Sequence, residues 1–333
     1  MKKKMRVLLA AAFAGVLALG LVGCSGGGSG DGEGGSESAN LRFMTGGESG
    51  TYYAYGSVLA QYATNGDYGV SVTALSSNGS QANVQALQDD DADIVFCQSD
   101  VTAYAYEGTN LFEETGAYTD FSVVATLYQE QVQIVTCNPD IKTVADLAGK
   151  TVSVGAANSG VYFNAVDVLS AYDLTLDDIT PVYQSFADSA DSLKDDKIDA
   201  AFIVAGAPTT AITDLSTTKT AYLVSLDDEH IDDLLAASPY YTKHVIPAGT
   251  YNGQEEDVTT VAVGAVILAR DDVSEDAIYA LTADIFDNAA DLVSSHAKYG
   301  ELSTEFGASI TSVPYHPGAA KYFAEKGFDV ATK

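Results

Sequence analysis

Residues 45 to 63 read TGGESGTYYAYGSVLAQYA, and residues 155 to 172 read GAANSGVYFNAVDVLSAY. In both, serine and glycine lead into a segment whose apolar residues recur at helical spacing. A helix start carries free backbone N–H groups and the positive end of the helix dipole, so a small-residue turn beside it suits an anion. No lysine follows the glycines. The spacings G-x-x-x-x-G-K-[ST] and G-x-G-x-x-G, which cradle nucleotide phosphates, are both absent. The expected ligand is therefore smaller than a nucleotide. Placing Ser159 on Ser49 aligns Gly160 with Gly50, Tyr162 with Tyr52, Phe163 with Tyr53 and Leu169 with Leu59. In the first copy Tyr55, Leu59 and Tyr62 form a stripe expected to be buried.

Catalytic patterns are missing. A serine nucleophile would need a histidine, an orienting acid and usually a G-x-S-x-G elbow, which the chain lacks. His230, His244, His296 and His316 are scattered, with no H-E-x-x-H spacing for zinc. The acid runs DDDAD at 89 to 93 and LDDEH at 226 to 230 lack the glycine and terminal glutamate of a calcium loop and read as solvated surface. No catalysis, cofactor or metal is expected.

Each corner follows a short β-like run, LRFMT in one copy and TVSVG in the other. A second echo pairs ALQDDDADIVF at 86 to 96 with SLKDDKIDAAF at 192 to 202, each an apolar strand that opens into a turn, CQSD at 97 to 100 and AGAP at 205 to 208. Strands alternating with amphipathic helices predict α/β lobes with largely parallel sheets. Ligands of such sheets sit beyond the carboxyl ends of the strands, beside helix starts. Two similar lobes would thus face each other across a cleft.

The first 23 residues, MKKKMR followed by an apolar run to Val22, form a secretory signal rather than a fold element. LVGC at 21 to 24 resembles the lipobox of bacterial lipoproteins, which makes Cys24 the lipidated residue. The tract 24–40, rich in glycine, serine and acids, has nothing to bury and reads as a tether. Without the signal, 12 bases face 46 acids, a net charge of −34. That charge argues against nucleic acid as a partner. Cys97 and Cys137 each end an apolar run, and either a disulfide or two buried thiols fits them.

Residues 45 to 57 closely resemble the N-terminal signature of the TAXI family, the extracytoplasmic solute receptors of one branch of TRAP transporters. VPYHPGAAKYFAEKGF at 313 to 328 resembles that family's C-terminal signature, and the likeness covers nearly all of 41 to 328. It implies a two-lobed periplasmic-binding-protein fold of the second type, with the chain crossing twice, at YQEQVQIVTC and VAVGAVILAR. Lobe 1 is placed at 41–130 plus 264–333, and lobe 2 at 131–263. A helix from Glu275 to His296 and another from Pro317 to Lys326 would pack back on lobe 1. The resemblance further implies a small carboxylate or amino acid as solute, glutamate-like above all, and a TRAP-type membrane permease as partner. A lipid-anchored sensor that reports the solute to a membrane kinase is the alternative.

By position, Ser49, Gly50, Thr51, Tyr52 and Tyr53 form the first cradle, with Asn78, Gln98 and Ser99 as neighbours. Ser159, Gly160 and Tyr162 close from lobe 2, and Gly206 and Pro208 shape the wall. The family commonly has Ser-Gly-Thr in the second cradle, where this chain has Val161. Past the signal the only arginines are Arg42 and Arg270, neither in an expected cleft loop. A carboxylate would then be held by hydroxyls and backbone N–H groups rather than by an arginine fork.

Overall fold

The computed structural model describes residues 39–66 and 68–333. The signal segment, Cys24 and residues 25–38 of the tether lie outside the described residues, whereas Ala39 and Asn40, expected in the tether, pair with Val70 and Ser71 and open the first strand. The strands are β1 (Ala39–Met44), β2 (Val70–Leu75), β3 (Ile94–Gln98), β4 (Phe121–Thr136), β5 (Thr151–Ser153), β6 (Thr180–Val182), β7 (Ala200–Ala205), β8 (Tyr222–Leu223), β9 (Thr242–Ile246) and β10 (Val258–Arg270). The helices that matter for the site are α1 (Thr51–Asn65), α2 (Ser80–Gln88), α3 (Ser99–Glu107), α4 (Gly160–Ala171), α5 (Phe186–Lys194) and α6 (Thr210–Thr218).

The sheet runs β2-β1-β3-β10-β4-β7-β5-β6, with β8 on β4 and β9 on β10. β1 is parallel to β2 and β3, and β5 is parallel to β6 and β7. Parallel strands covered by helices on both faces need continuous apolar sequence, and IVFCQ and AAFIVA are buried throughout. The long strands β4 and β10 lie antiparallel to each other and join the two parallel sets. Residues 121 to 128 of β4 and 265 to 269 of β10 belong to one hydrophobic core, centred on Phe43, Tyr55, Phe96 and Phe323. Val132 and Ile134 of β4, with Val261 and Val263 of β10, belong to another, with Phe202 and Leu169. The changeover falls at Gln129–Gln131, paired with Gly264–Ala262. This is the two-lobed mixed α/β fold of periplasmic solute-binding proteins.

One expected helix is broken. Glu275–Asp287 is helical, then Asn288 leaves helical geometry and turns its side chain back onto the carbonyl and carboxylate of Asp284, and a short helix Ala289–Leu292 follows. An asparagine that bonds the backbone locally offers the chain an alternative to helix continuation. Pro317–Glu325 is helical, with Pro317 at the first turn, where a missing N–H costs nothing. Cys97 and Cys137 are both free thiols, the first buried.

Candidate functional site

Three helix starts converge between the cores. α1 begins at Gly50, α2 at Gly79 and α4 at Ser159, and none has a side-chain cap. Gly79 sits at φ +107°, a conformation that glycine adopts without strain. The first N–H groups of a helix have no intrahelical partner, so the three uncapped starts aim donors and positive dipole ends at one space. α5, by contrast, is capped by Ser185.

The space is a cavity with about 590 Å³ between atoms, part of it open to solvent. Gly46, Gly47, Gly50, Thr51 and Tyr52 line it from the α1 corner, and Ser77, Asn78, Gly79 and Ser80 from the α2 corner. Gln98 and Glu130 come from strand ends, Ala156, Ser159, Gly160 and Val161 from the α4 corner, and Ser185, Phe186, Val204 and Ala205 complete the far wall. No lysine, arginine or histidine lines it among the described residues. Arg42 and Arg270 are instead engaged with Asp90 and Asp93.

The walls touch around this space. Thr51 Oγ1 donates to the Gly206 carbonyl at 2.9 Å, and Ala82 N–H donates to the Asn158 carbonyl at 2.9 Å. The deepest link is Asn164 of α4. Its Oδ1 accepts from Gln98 Nε2 at 2.9 Å, and its Nδ2 donates to Asp100 Oδ2 at 2.9 Å and to Tyr241 Oη at 2.8 Å. Tyr241 in turn donates to Asp167. Asp100 is fully buried, and burial, followed by the repulsion of Asp167, pushes its carboxyl up to about 7. Such bonds reach from one core to the other only with the lobes closed.

Tyr52 faces inward. Its ring stacks on Phe96 with centroids 4.5 Å apart, and its hydroxyl donates to Glu130 Oε2 at 2.6 Å. Glu130 is 2% exposed, and burial pushes its carboxyl up to about 8 against the lowering effect of the Tyr52 hydrogen bond.

Of the expected site residues, the structure brings Gly50, Thr51, Tyr52, Asn78, Gln98, Ser159 and Gly160 to the cavity. The others do not line it. The carbonyl of Ser49 accepts from Ala211 N–H at the rim. Tyr53 is half-buried one position past Tyr52, on another face of α1. Ser99 Oγ accepts from Gly264 N–H and so ties α3 to β10. Tyr162 turns to Tyr183, with ring centroids 5.8 Å apart. Gly206 stands behind the wall, where an added Cβ would lie 2.8 Å from Lys298 Cε, and Pro208 follows it through a cis peptide bond. Tyr55 is fully buried and stacks on Tyr299, and Leu59 is buried as expected of the stripe, whereas Tyr62, at its end, is only half-buried. Sequence reasoning missed Glu130 and Phe186. A lone acid inside the apolar run FSVVATLYQEQVQIVT was the available signal for Glu130, and nothing local marks Phe186.

Residues 43–327 match the NMT1-like family. The chain belongs to the NMT1-like family. The family is of the periplasmic solute-binding type, and the chain is accordingly an extracytoplasmic solute-binding protein of the transporter kind. Family members are non-enzymatic receptors, in agreement with the missing catalytic patterns. A solved structure from Bordetella bronchiseptica RB50 shares the fold at 16% identity and a TM-score of 0.54, covering 86% of this chain and 89% of that one. The alkanesulfonate-binding protein SsuA from Xanthomonas axonopodis pv. citri, solved bound to MOPS, is 16% identical with a TM-score of 0.48, covering 87% and 91%. The periplasmic aliphatic sulphonate binding protein SsuA from Escherichia coli is 17% identical with a TM-score of 0.46, covering 86% and 78%. Among the described residues no helix is long and apolar enough to cross a membrane.

Proposed function

We propose that the chain is the solute receptor of a TAXI-type TRAP transporter, held at the outer face of the cell membrane by a lipid on Cys24. It binds a small carboxylate or amino acid, glutamate-like, and hands it to a TRAP-type permease. The two bodies that close are 41–130 with 264–333, and 131–263. The observation that carries the ligand class is the meeting of three uncapped helix starts at one cavity that, among the described residues, no basic side chain lines. Oriented N–H groups take the place of the arginine fork. Thr51, Tyr52, Asn78, Gln98, Ser159 and Gly160 are the contacts the geometry favours.

Closure follows from differential binding: only a solute that contacts both walls favours the closed arrangement over the open one. A thermal-shift screen tests the ligand class. The purified chain is stripped of co-purified solute by refolding, then titrated with amino acids, dicarboxylates, 2-oxo acids, aromatic acids and sugars. A dose-dependent rise with glutamate or a related acid is expected. A rise confined to neutral solutes would overturn the carboxylate cradle. For the anchor, Cys24→Ala is expected to release the chain from membranes, and persistent association would count against lipidation.

A further inference from the structure

The helix starts account for an anion, yet one wall of the cavity is built for the opposite charge. Glu130 lies in β4 opposite Val263, at the changeover from one core to the other, and lines the cavity. Tyr52 donates to its Oε2, and no other hydrogen bond to this carboxyl is seen among the described residues. The charged and titratable groups around it are Tyr52 from α1, Cys97 from β3, Asp100 from α3, Tyr128 from β4 and Lys298 from the 3-10 turn Ala297–Glu301. Lys298 is the single cation of this set, and Glu301 holds its ammonium. Glu130 therefore has no partner of its own charge complement. Burying a carboxylate in this way is costly unless something positive joins it.

We propose that Glu130 is the specificity-determining residue of the cavity: it accepts a hydrogen bond from an ammonium group of the solute and releases its own proton to water as the solute enters. This inference rests on reading the cavity as the solute site. Its carboxyl O–H bond breaks, the proton leaves to solvent, and the ammonium of the solute keeps all of its protons. The solute class is then the α-amino acids, with carboxylate on the helix starts and ammonium on Glu130, in preference to acids that carry carboxylates alone.

The pH dependence has a fixed sign. In the empty cavity the carboxyl holds its proton up to about pH 8, whereas beside an ammonium it is ionised at lower pH. Affinity for an amino acid must then rise with pH up to about 8 and level off. An acid without an ammonium needs the protonated form and would show the opposite slope.

The test is calorimetric titration of the purified chain with L-glutamate and with glutarate, at pH 7, in phosphate and in Tris. The two buffers differ in ionisation heat and so report proton release without any mutation. Release approaching one proton per glutamate is expected, together with at least about tenfold tighter binding of glutamate than of glutarate, as for a buried charge-assisted hydrogen bond. Glu130→Gln is expected to abolish both the release and the preference. Glutarate binding as tightly as glutamate, or glutamate binding without proton release, would overturn the role of Glu130 and leave the receptor reading standing. No heat and no thermal shift with any acid would overturn the receptor reading for acids, and the role of Glu130 with it.

Discussion

At the α1 corner Tyr52 turns into the cavity, stacks on Phe96 and hydrogen-bonds Glu130; at the α4 corner Tyr162 turns outward onto Tyr183. Thr51 spends its hydroxyl on the Gly206 carbonyl across the cleft, where its counterpart Val161 offers only methyl groups to the cavity. The second corner instead sends Asn164, one turn further along α4, between Gln98 and Asp100. Both corners keep an uncapped helix start. The repeated strand, turn and helix thus keeps the same uncapped helix start, while the side chains divide into a wall that faces the cavity and, on the proposed reading, a wall that latches. Similar supersecondary units can share a backbone site without sharing side-chain roles.

The sharpest way to break this comparison is at the two glycines. A Cβ at Gly160 would overlap Gln98 Oε1 and lie 2.7 Å from Ser80 Oγ, whereas one at Gly50 would meet Gly47 O and the Phe186 ring at 3.3 Å. Gly160→Ala should therefore wedge the latch open and weaken solute affinity by about 100-fold, the upper range for overpacking a tight contact. Gly50→Ala should cost about threefold, since contacts at 3.3 Å need to give by only a few tenths of an ångström. Titration gives the affinities, and solution scattering should show Gly160→Ala failing to compact with solute. Equal losses at both glycines would mean that the corners are equivalent after all.

The two tyrosines give the next contrast. Tyr52→Phe removes the donor to Glu130 and should weaken binding about tenfold, as for a buried hydrogen bond to an acid group. Tyr162→Phe should change affinity less than about twofold, because its hydroxyl lies outside the cavity. Loss of affinity at Tyr162 would return that residue to the solute site.

Much of this arrangement was legible in the sequence. The paired corners were marked by Ser-Gly and helical spacing, which local chemistry dictates, and the lobes by alternation of strand and helix. The side-chain division was not, because where Tyr52 and Tyr162 point depends on partners distant in sequence: Phe96 and Glu130 for one, Tyr183 for the other. Gly160 read as a ligand cradle, and its tightest constraint is the approach of Gln98 from the opposite core. Ser99, likewise, is consumed by a backbone bond to Gly264 that only the crossing of β10 creates. Asn164 and Glu130 passed unremarked because a polar residue within an apolar run has no local motif, only a tertiary reason.

A smaller effect is expected from exchanging hydroxyl and methyl between the corners. Thr51→Val loses one neutral hydrogen bond to the Gly206 carbonyl and should weaken closure about threefold. Val161→Thr adds a hydroxyl at the cavity, in the place where the TAXI signature carries threonine. If the solute reaches this wall, affinity should rise about threefold. Unchanged affinity in both would confine solute contact to backbone groups, which sharpens the division rather than removing it.

The pH dependence of stability offers the gentlest probe, and its sign separates the latch from an ordinary ion pair. Asp100 and Glu130 have carboxyls held at about 7 and about 8, above the values near 4 of an unfolded chain. The folded state therefore binds these protons more tightly than the unfolded state. Their contribution to stability is complete below about pH 4 and is lost as pH rises through 7 to 8. Melting temperature should fall by a few degrees between pH 5 and pH 9, about what one or two kcal/mol shifts a chain of this size. Asp100→Asn keeps the shape and an acceptor for Asn164 but cannot ionise, so it should lessen the fall up to about pH 7, while Glu130→Gln lessens it up to about pH 8. A melting temperature that rises over this range, or a slope that Asp100→Asn leaves intact, would show that Asp100 is exposed to water and that the lobes stand open without solute.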